Sequence, residues 1–258
     1  MSEPILKIEG LDKSFGAVQV LHGVNFAVYP GEVTALVGDN GAGKSTLIKC
    51  VAGIYSIDSG RLYWEGKPVQ IHSPHAASAL GIEIVYQDLA LADNLDITQN
   101  MFLGREILRG PFLMDGQMEK KARETLTSLS VRTVSSVRQI VASLSGGQRQ
   151  TVAIAKAVLW NGKVVILDEP TAALGVAQTK QVLELVRRLA DSGIGVVLIS
   201  HNMNDVMQVA DRIDALYLGR IAAEVRKEDT STSQIVELIT AGRSGDIGLS
   251  LDTAALSA

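Results

Sequence analysis

One octapeptide constrains this chain more than any other stretch: Gly38-Asp-Asn-Gly-Ala-Gly-Lys-Ser45. It fits G-x-x-x-x-G-K-[ST], and its surroundings fit as well. The run before it, Val33-Thr-Ala-Leu-Val37, is short and apolar. The segment after it, TLIKCVAGIY from Thr46 to Tyr55, carries apolar residues at helical spacing. Strand, glycine turn and helix make one half of a βαβ unit. Glycines let backbone N–H groups curl around an anion without side-chain clash. The following helix aims its partly positive N-terminus at the same point. Lys44 can place a charge on β- and γ-phosphates, and the Ser45 hydroxyl can ligate Mg²⁺. A plain glycine turn before a helix is the simpler alternative, but the flanking strand and helix are what a phosphate cradle requires. The candidate phosphate-binding residues are Gly38, Asp39, Asn40, Gly41, Ala42, Gly43, Lys44, Ser45 and Thr46.

Two more short runs, Val164–Leu167 and Val196–Ile199, are apolar on both faces, as parallel strands covered by helices are. Between them, TKQVLELVRRLADSG (Thr179 to Gly193) spaces its apolar residues as an amphipathic helix, with Gly193 placed to cap it. The first thirty residues instead suggest strands alternating around turns, and Arg61–Ile71 suggests a hairpin turning at Gly66. From about residue 90 to 160 the pattern is mostly helical: ITQNMFLGREI, MEKKARETLTSLS and GGQRQTVAIAKAVLW. A hydrophobic share of 47% over 258 residues is enough for one large domain with an inserted lobe. The expected fold is α/β, with a mostly parallel sheet, an antiparallel β layer and an inserted helical lobe. Its core would be residues 1–89 and 161–228, the lobe about 90–160 and a C-terminal helix about 229–242. Residues 243–258, small and weakly periodic, read as a flexible or loosely docked tail.

Val164–Leu167 leads straight into Asp168 and Glu169. Ligands of open α/β sheets bind beyond the carboxyl ends of the strands. One carboxylate there can hold Mg²⁺, and the second can orient or deprotonate a water. Asp168 is the candidate metal partner and Glu169 the candidate base; a solvated acidic turn is the plain alternative. A second glycine motif, LSGGQRQ from Leu144 to Gln150, precedes a long helical pattern. Ser145 and Gln148 have capping-box spacing, and Gly146 and Gly147 leave the first helical N–H groups uncovered, giving a second anion-ready helix start. A plain helix start would not explain two helix-disfavouring glycines.

With these motifs in this order, the chain from about Ile5 to Ala241 closely resembles the ATP-binding subunit of ABC transporters, whose hallmark is LSGGQ. The resemblance implies a P-loop ATPase core, ATP and Mg²⁺ as ligands, and further roles. Phe15 would stack on adenine. Gln87, in VYQD, would sense Mg²⁺ and water. Asp168 and Glu169 would be the Walker B aspartate and catalytic glutamate. His201, in LISHN, would contact the γ-phosphate; a lone histidine would more often be structural. The family also implies that two copies sandwich two ATP molecules, each P-loop facing the other copy's Ser145–Gln148. The wording YQDLALADNLDITQNMFLGRE and LDEPTAALGV is similar to monosaccharide importers of the ribose, xylose and fructose type, in the single-cassette form. That implies a homodimer, a multi-span membrane permease and an extracytoplasmic sugar-binding protein. Two positions depart from the broad pattern. Phe15 replaces a tyrosine but keeps the π face. Gly175 stands where the family has an aspartate; this is typical of the sugar-importer branch but puts the usual cross-dimer contact in doubt. The alternative weighed is an ABC-type ATPase with a non-transport role such as DNA repair or translation control. Its relatives carry coiled-coil insertions, paired cassettes or basic extensions, which are not seen here. A P-loop GTPase or small-molecule kinase is disfavoured by LSGGQ, by His201 and by the lack of N-K-x-D.

A net charge of −4 argues against a nucleic-acid partner, whose footprint is normally a basic face. The N-terminus MSEPILKIEG lacks a signal-peptide pattern, and no apolar run approaches the ~18 residues that span a bilayer. The expected location is therefore cytoplasmic, peripheral on the inner membrane face through the permease. The single cysteine, Cys50, excludes an internal disulfide and reads as a buried helix residue. Trp64 and Trp160 read as packing residues, and Glu119–Glu124 as a solvated helix face.

Overall fold

The computed structural model describes residues 3–131 and 134–249. Strands β1 (Leu6–Phe15) and β2 (Val18–Val28) bury roughly alternate residues, such as Leu6, Ile8 and Leu11 on β1. The next strand, β3 (Val33–Gly38), is buried along its whole length. After it come α1 (Lys44–Val51), the hairpin β4 (Ser59–Trp64) and β5 (Lys67–Val69), α2 (Pro74–Leu80) and β6 (Ile82–Val85). The antiparallel layer has the order β2-β1-β4-β5, and Gly66 lies in its hairpin turn. Trp64 is 6% exposed within it.

The lobe contains α3 (Ile97–Phe102), a hairpin of β7 (Leu108–Arg109) and β8 (Phe112–Leu113), α4 (Asp115–Ser128) and α5 (Gly146–Leu159). The expectation of a helix throughout ITQNMFLGREI fails at its end. Asp96 and Gln99 form a capping box that starts α3, but the chain leaves the helix at Leu103. It then turns at Gly104 and folds into the small hairpin, whose loop holds Gly110 and Pro111. Pro111 has no N–H to give a helix. The expected solvated face at Glu119–Glu124 holds for Lys120 and Glu124, which pair at 3.9 Å, whereas Glu119 is half-buried and pairs with Arg138 off the helix. Trp160 sits edge-on to Phe102 and its Nε1 donates to Met101 O at 3.3 Å. Packing does not stop at the lobe boundary. One apolar cluster runs from Met101 and Leu126 through Ile154 on α5 to Val165 and Leu198 in the sheet.

The chain then completes β9 (Val164–Asp168), α6 (Val176–Asp191), β10 (Gly195–Ile199), α7 (Met203–Val209), β11 (Arg212–Tyr217), β12 (Arg220–Arg226) and α8 (Thr232–Ala241). Helix α6 buries Val182, Leu183, Leu185, Val186 and Leu189, each contributing roughly 1.5–3 kcal/mol relative to exposure. The central sheet has the order β12-β11-β3-β10-β9-β6. Five strands are parallel and only β12 is antiparallel, at the edge. Of the two expectations for the tail, flexible or loosely docked, its start is docked. Residues 243–249 fold back as β13 (Arg243–Ser244) and β14 (Ile247–Gly248). Leu249 N donates to Gly242 O at 2.9 Å, and Ser244 Oγ to Glu237 Oε2 at 2.5 Å. Ile247 and Leu249 provide the apolar contact that holds this turn on the core. Residues 250–258 lie outside the described residues.

Cys50 is 1% exposed, and burial pushes its thiol up to about 11. Asp214 is a charged-type residue buried in the central sheet. It is 2% exposed on β11, opposite Glu224 on β12, and its Oδ1 has no hydrogen-bond partner. Burial, and then Glu224, raise its pKa well above the ordinary carboxylate value; Arg212 opposes them. The folded state therefore holds this proton more tightly than the unfolded state does. The associated stability is fully present below the unfolded value near 3.8 and is lost as pH rises toward the folded value. Asp214→Asn removes the ionisable carboxyl, whose deprotonation favours the unfolded state, so it is expected to stabilise the fold by about 1–3 kcal/mol at pH 8. The gain should shrink toward pH 4. Urea unfolding at both pH values checks this, and an equal gain at both would remove ionisation as the cause.

Candidate functional site

Strand register assembles the site. Ile199 on β10 pairs with Leu36 on β3 and with Asp168 on β9. Gly38 is two residues beyond Leu36, and His201 two beyond Ile199. On the far side of β9, Val85 pairs with Leu167, so Gln87 also leaves the sheet at this edge. Four carboxyl ends therefore open into one cleft of about 680 Å³. Its walls include Gly38, Asp39, Asn40, Gly41, Gly43, Lys44, Ser45, Thr46, Gln87, Asp168, Glu169 and His201. Ala42 belongs to the loop but is buried behind it, 4% exposed. Phe15 does not line this cleft. It ends β1 at 43% exposure, edge-on to Tyr55 at 5.0 Å, with Lys13 Nζ 5.3 Å from its ring centroid.

The loop leaves no room for side chains at its helix end. Gly43 has φ 108, and a Cβ there would lie 2.8 Å from Leu21 Cδ2. Lys44 Nζ donates to Gly38 O at 2.6 Å and Asp39 O at 3.0 Å. Burial lowers its pKa, while Glu169, Asp39 and Asp168 pull the other way. Asp168 is shifted upward, first by burial and then by Glu169, with Lys44 and Lys49 opposing. A cation beside it would reverse that balance. Glu169 occupies the left-handed region at φ 50, uncommon for a residue with a side chain. Two contacts hold it there: its N–H donates to Ile199 O at 3.0 Å, and its Oε1 lies 2.9 Å from His201 Nδ1. The His201 side chain is 73% exposed and that of Glu169 15%, so the imidazole is the accessible member of the pair. The site thus couples a backbone anion cradle and a cation to a carboxylate pair and a histidine.

Residues 21–172 match the family model for the ABC transporter. This chain belongs to the ABC transporter family. It is 47% identical over 249 residues to the fructose import ATP-binding protein FrcA of Rhizobium meliloti, covering 93% of this chain and 95% of that protein. It is 46% identical to the xylose/arabinose import ATP-binding protein XylG of Sulfolobus acidocaldarius, covering 95% of this chain and 97% of that protein. The crystal structure of a nucleotide-free ATP-binding cassette from an ABC transporter superposes with a TM-score of 0.78 at 27% identity, covering 92% of this chain and 98% of that one.

In this ABC cassette the LSGGQ segment lies outside the cleft. Ser145 N donates to no helix carbonyl but bonds Gln148 Oε1 at 2.9 Å, and Gln148 N donates to Ser145 Oγ at 3.4 Å, so the capping box is formed. The two glycines have a packing reason as well. A Cβ on Gly146 would meet Leu174 Cδ2 at 3.2 Å, and one on Gly147 would meet Gln178 at 3.1 Å. The start of α5 is therefore pressed against the loop that follows β9. Gly175, in that loop, has an ordinary φ of −73 and precedes α6, and a Cβ there would meet nothing within 4 Å. Neither backbone nor space demands glycine at this position. Sequence reasoning missed Val20, Ile199 and Ile239, which also wall the cleft. Ile239 arrives from α8, and no local motif signals it.

Proposed function

We propose that this chain is the ATP-hydrolysing subunit of an ABC importer for a monosaccharide. The observation that carries it is the convergence of the phosphate loop, Asp168, Glu169, Gln87 and His201 at one sheet edge. The backbone of residues 38–46, with Lys44, would hold the ATP phosphates, and Phe15 would stack on adenine. Ser45, Asp168 and Gln87 offer a sparse oxygen set that fits Mg²⁺, which keeps waters and phosphate oxygens as its other ligands. The ion would neutralise charge on the transferring phosphoryl group. Glu169 would take the proton of the attacking water, and His201, 2.9 Å from it, would orient both it and the γ-phosphate.

Ser145, Gly146, Gly147 and Gln148 present a second helix start away from their own cleft, which supports a homodimer in which they face the partner's ATP. Relatives named as sugar import ATP-binding proteins support a sugar-import role, for which the further partners would be a multi-span permease and an extracytoplasmic sugar-binding protein. No described helix is long and apolar enough to cross a membrane. The inner-face location would then come from the permease. Affinity-tagged chain purified from detergent-solubilised membranes of its host is expected to bring down a multi-span permease. Recovery with DNA or ribosomes, and no membrane protein, would reject the transport role. In the same preparation Mg-ATP should raise the melting temperature more than Mg-GTP does.

A further inference from the structure

The loop after β9 is tied to the end of β10 and the chain beyond it at a third point, besides Glu169 N–H to Ile199 O and Glu169 to His201. Thr171 Oγ1 donates to Asp205 Oδ2 at 2.6 Å. Asp205 is 5% exposed and lies in the first turn of α7, which Asn202 caps immediately after His201. A short bond to a carboxylate inside the protein is of the strong kind. Only Pro170 separates Thr171 from Glu169, and its ring fixes φ, so displacement of Thr171 passes stiffly to Glu169. The contacts close a ring: Glu169, Pro170, Thr171, across to Asp205, back along α7 to His201, and across to Glu169. Glu169 is held at φ 50 inside this ring, a conformation that surrounding contacts must maintain.

We infer that Thr171 and Asp205 are positioning residues for hydrolysis: their bond sets the separation of Glu169 and His201. The same loop abuts the start of α5 through Leu174, and the first turn of α6 that follows it does so through Gln178, so the tether also fixes the LSGGQ segment relative to His201. This inference rests on the ATPase reading of the cleft. Thr171→Val keeps the shape and deletes the donor. Thr171→Ser keeps the donor, and Asp205→Asn keeps an acceptor oxygen without the charge.

In the purified 258-residue chain, Thr171→Val is expected to lower kcat about tenfold, the scale of one lost charge-assisted hydrogen bond. KM and the affinity for a fluorescent ATP analogue should stay within about twofold. Thr171→Ser should restore kcat, and Asp205→Asn should fall between. Wild-type kcat in Thr171→Val would overturn the inference. So would equal impairment in the Val and Ser variants, or a loss confined to nucleotide affinity. If Asp205→Asn does not fold, the Val and Ser pair still decides. Glu169→Gln is assayed beside them. Wild-type turnover in that variant sinks the role of Glu169 itself, whereas an inert Glu169→Gln with a normal Thr171→Val sinks only the tether.

Discussion

Glu169→Gln is expected to hydrolyse ATP about 10²–10⁴-fold more slowly than the wild type while still binding it, the usual contribution of a positioned base. The substitution preserves volume and leaves an oxygen able to accept from His201 Nδ1. The backbone bond from residue 169 to Ile199 O is untouched, so the left-handed turn should persist. What disappears is basicity at the mouth of the cleft. Phosphate release measures the loss, and size-exclusion chromatography with ATP should show that dimerisation survives. Wild-type turnover would remove Glu169 from the mechanism and leave Asp168 and His201 to be tested in its place.

Lys44→Met should weaken ATP binding itself rather than only the chemistry. Lys44 is the cation among Asp39, Asp168 and Glu169, and its ammonium braces the carbonyls of Gly38 and Asp39. Without it the carboxyl of Asp168 loses an opposing charge and shifts further upward. ATP affinity is expected to fall about 100-fold or more, which corresponds to roughly 3 kcal/mol. At an ATP concentration that stabilises the wild type by about 2.7 kcal/mol, the variant would gain only about 0.4 kcal/mol. Calorimetric melting with and without Mg-ATP reads this directly. A full ligand-induced shift in the variant would show that the backbone loop alone carries the phosphates.

Much of this architecture is legible because its central strands are buried on both faces. Val33–Val37, Val164–Leu167 and Val196–Ile199 are continuous apolar runs, and each delivers its chemistry at the next residues. The edge of the sheet is harder to read. On β11 Arg212 and Asp214 interrupt the apolar pattern, and on β12 Arg220, Glu224 and Arg226 break up a short apolar run. The hairpin at 108–113 was hidden because its leucines and phenylalanine fit a helical period, while Leu108 and Phe112 are in fact exposed. Within the site, residues carried by a motif could be named in advance. The Thr171–Asp205 bond could not, since it joins positions 34 apart with no shared pattern. Ile239 reaches the cleft only because α8 packs beside β11. Gly175 is the opposite case. It stands out in the sequence, yet the loop would accept a side chain.

The burial of Cys50 has a practical corollary. The only thiol in the chain is sealed on the inner face of α1 and held protonated near neutral pH, since the nucleophilic form appears only around its pKa of about 11. The unmodified chain is thus a silent background for maleimide chemistry. A cysteine substituted for Gly175, where nothing lies within 4 Å of the new side chain, would be the one accessible attachment point. A spin label or fluorophore there would sit on the loop joining the hydrolytic cleft to the LSGGQ helix. If two copies pair as proposed, distances between two such labels would report their opening and closing without a cysteine-free variant having to be built first.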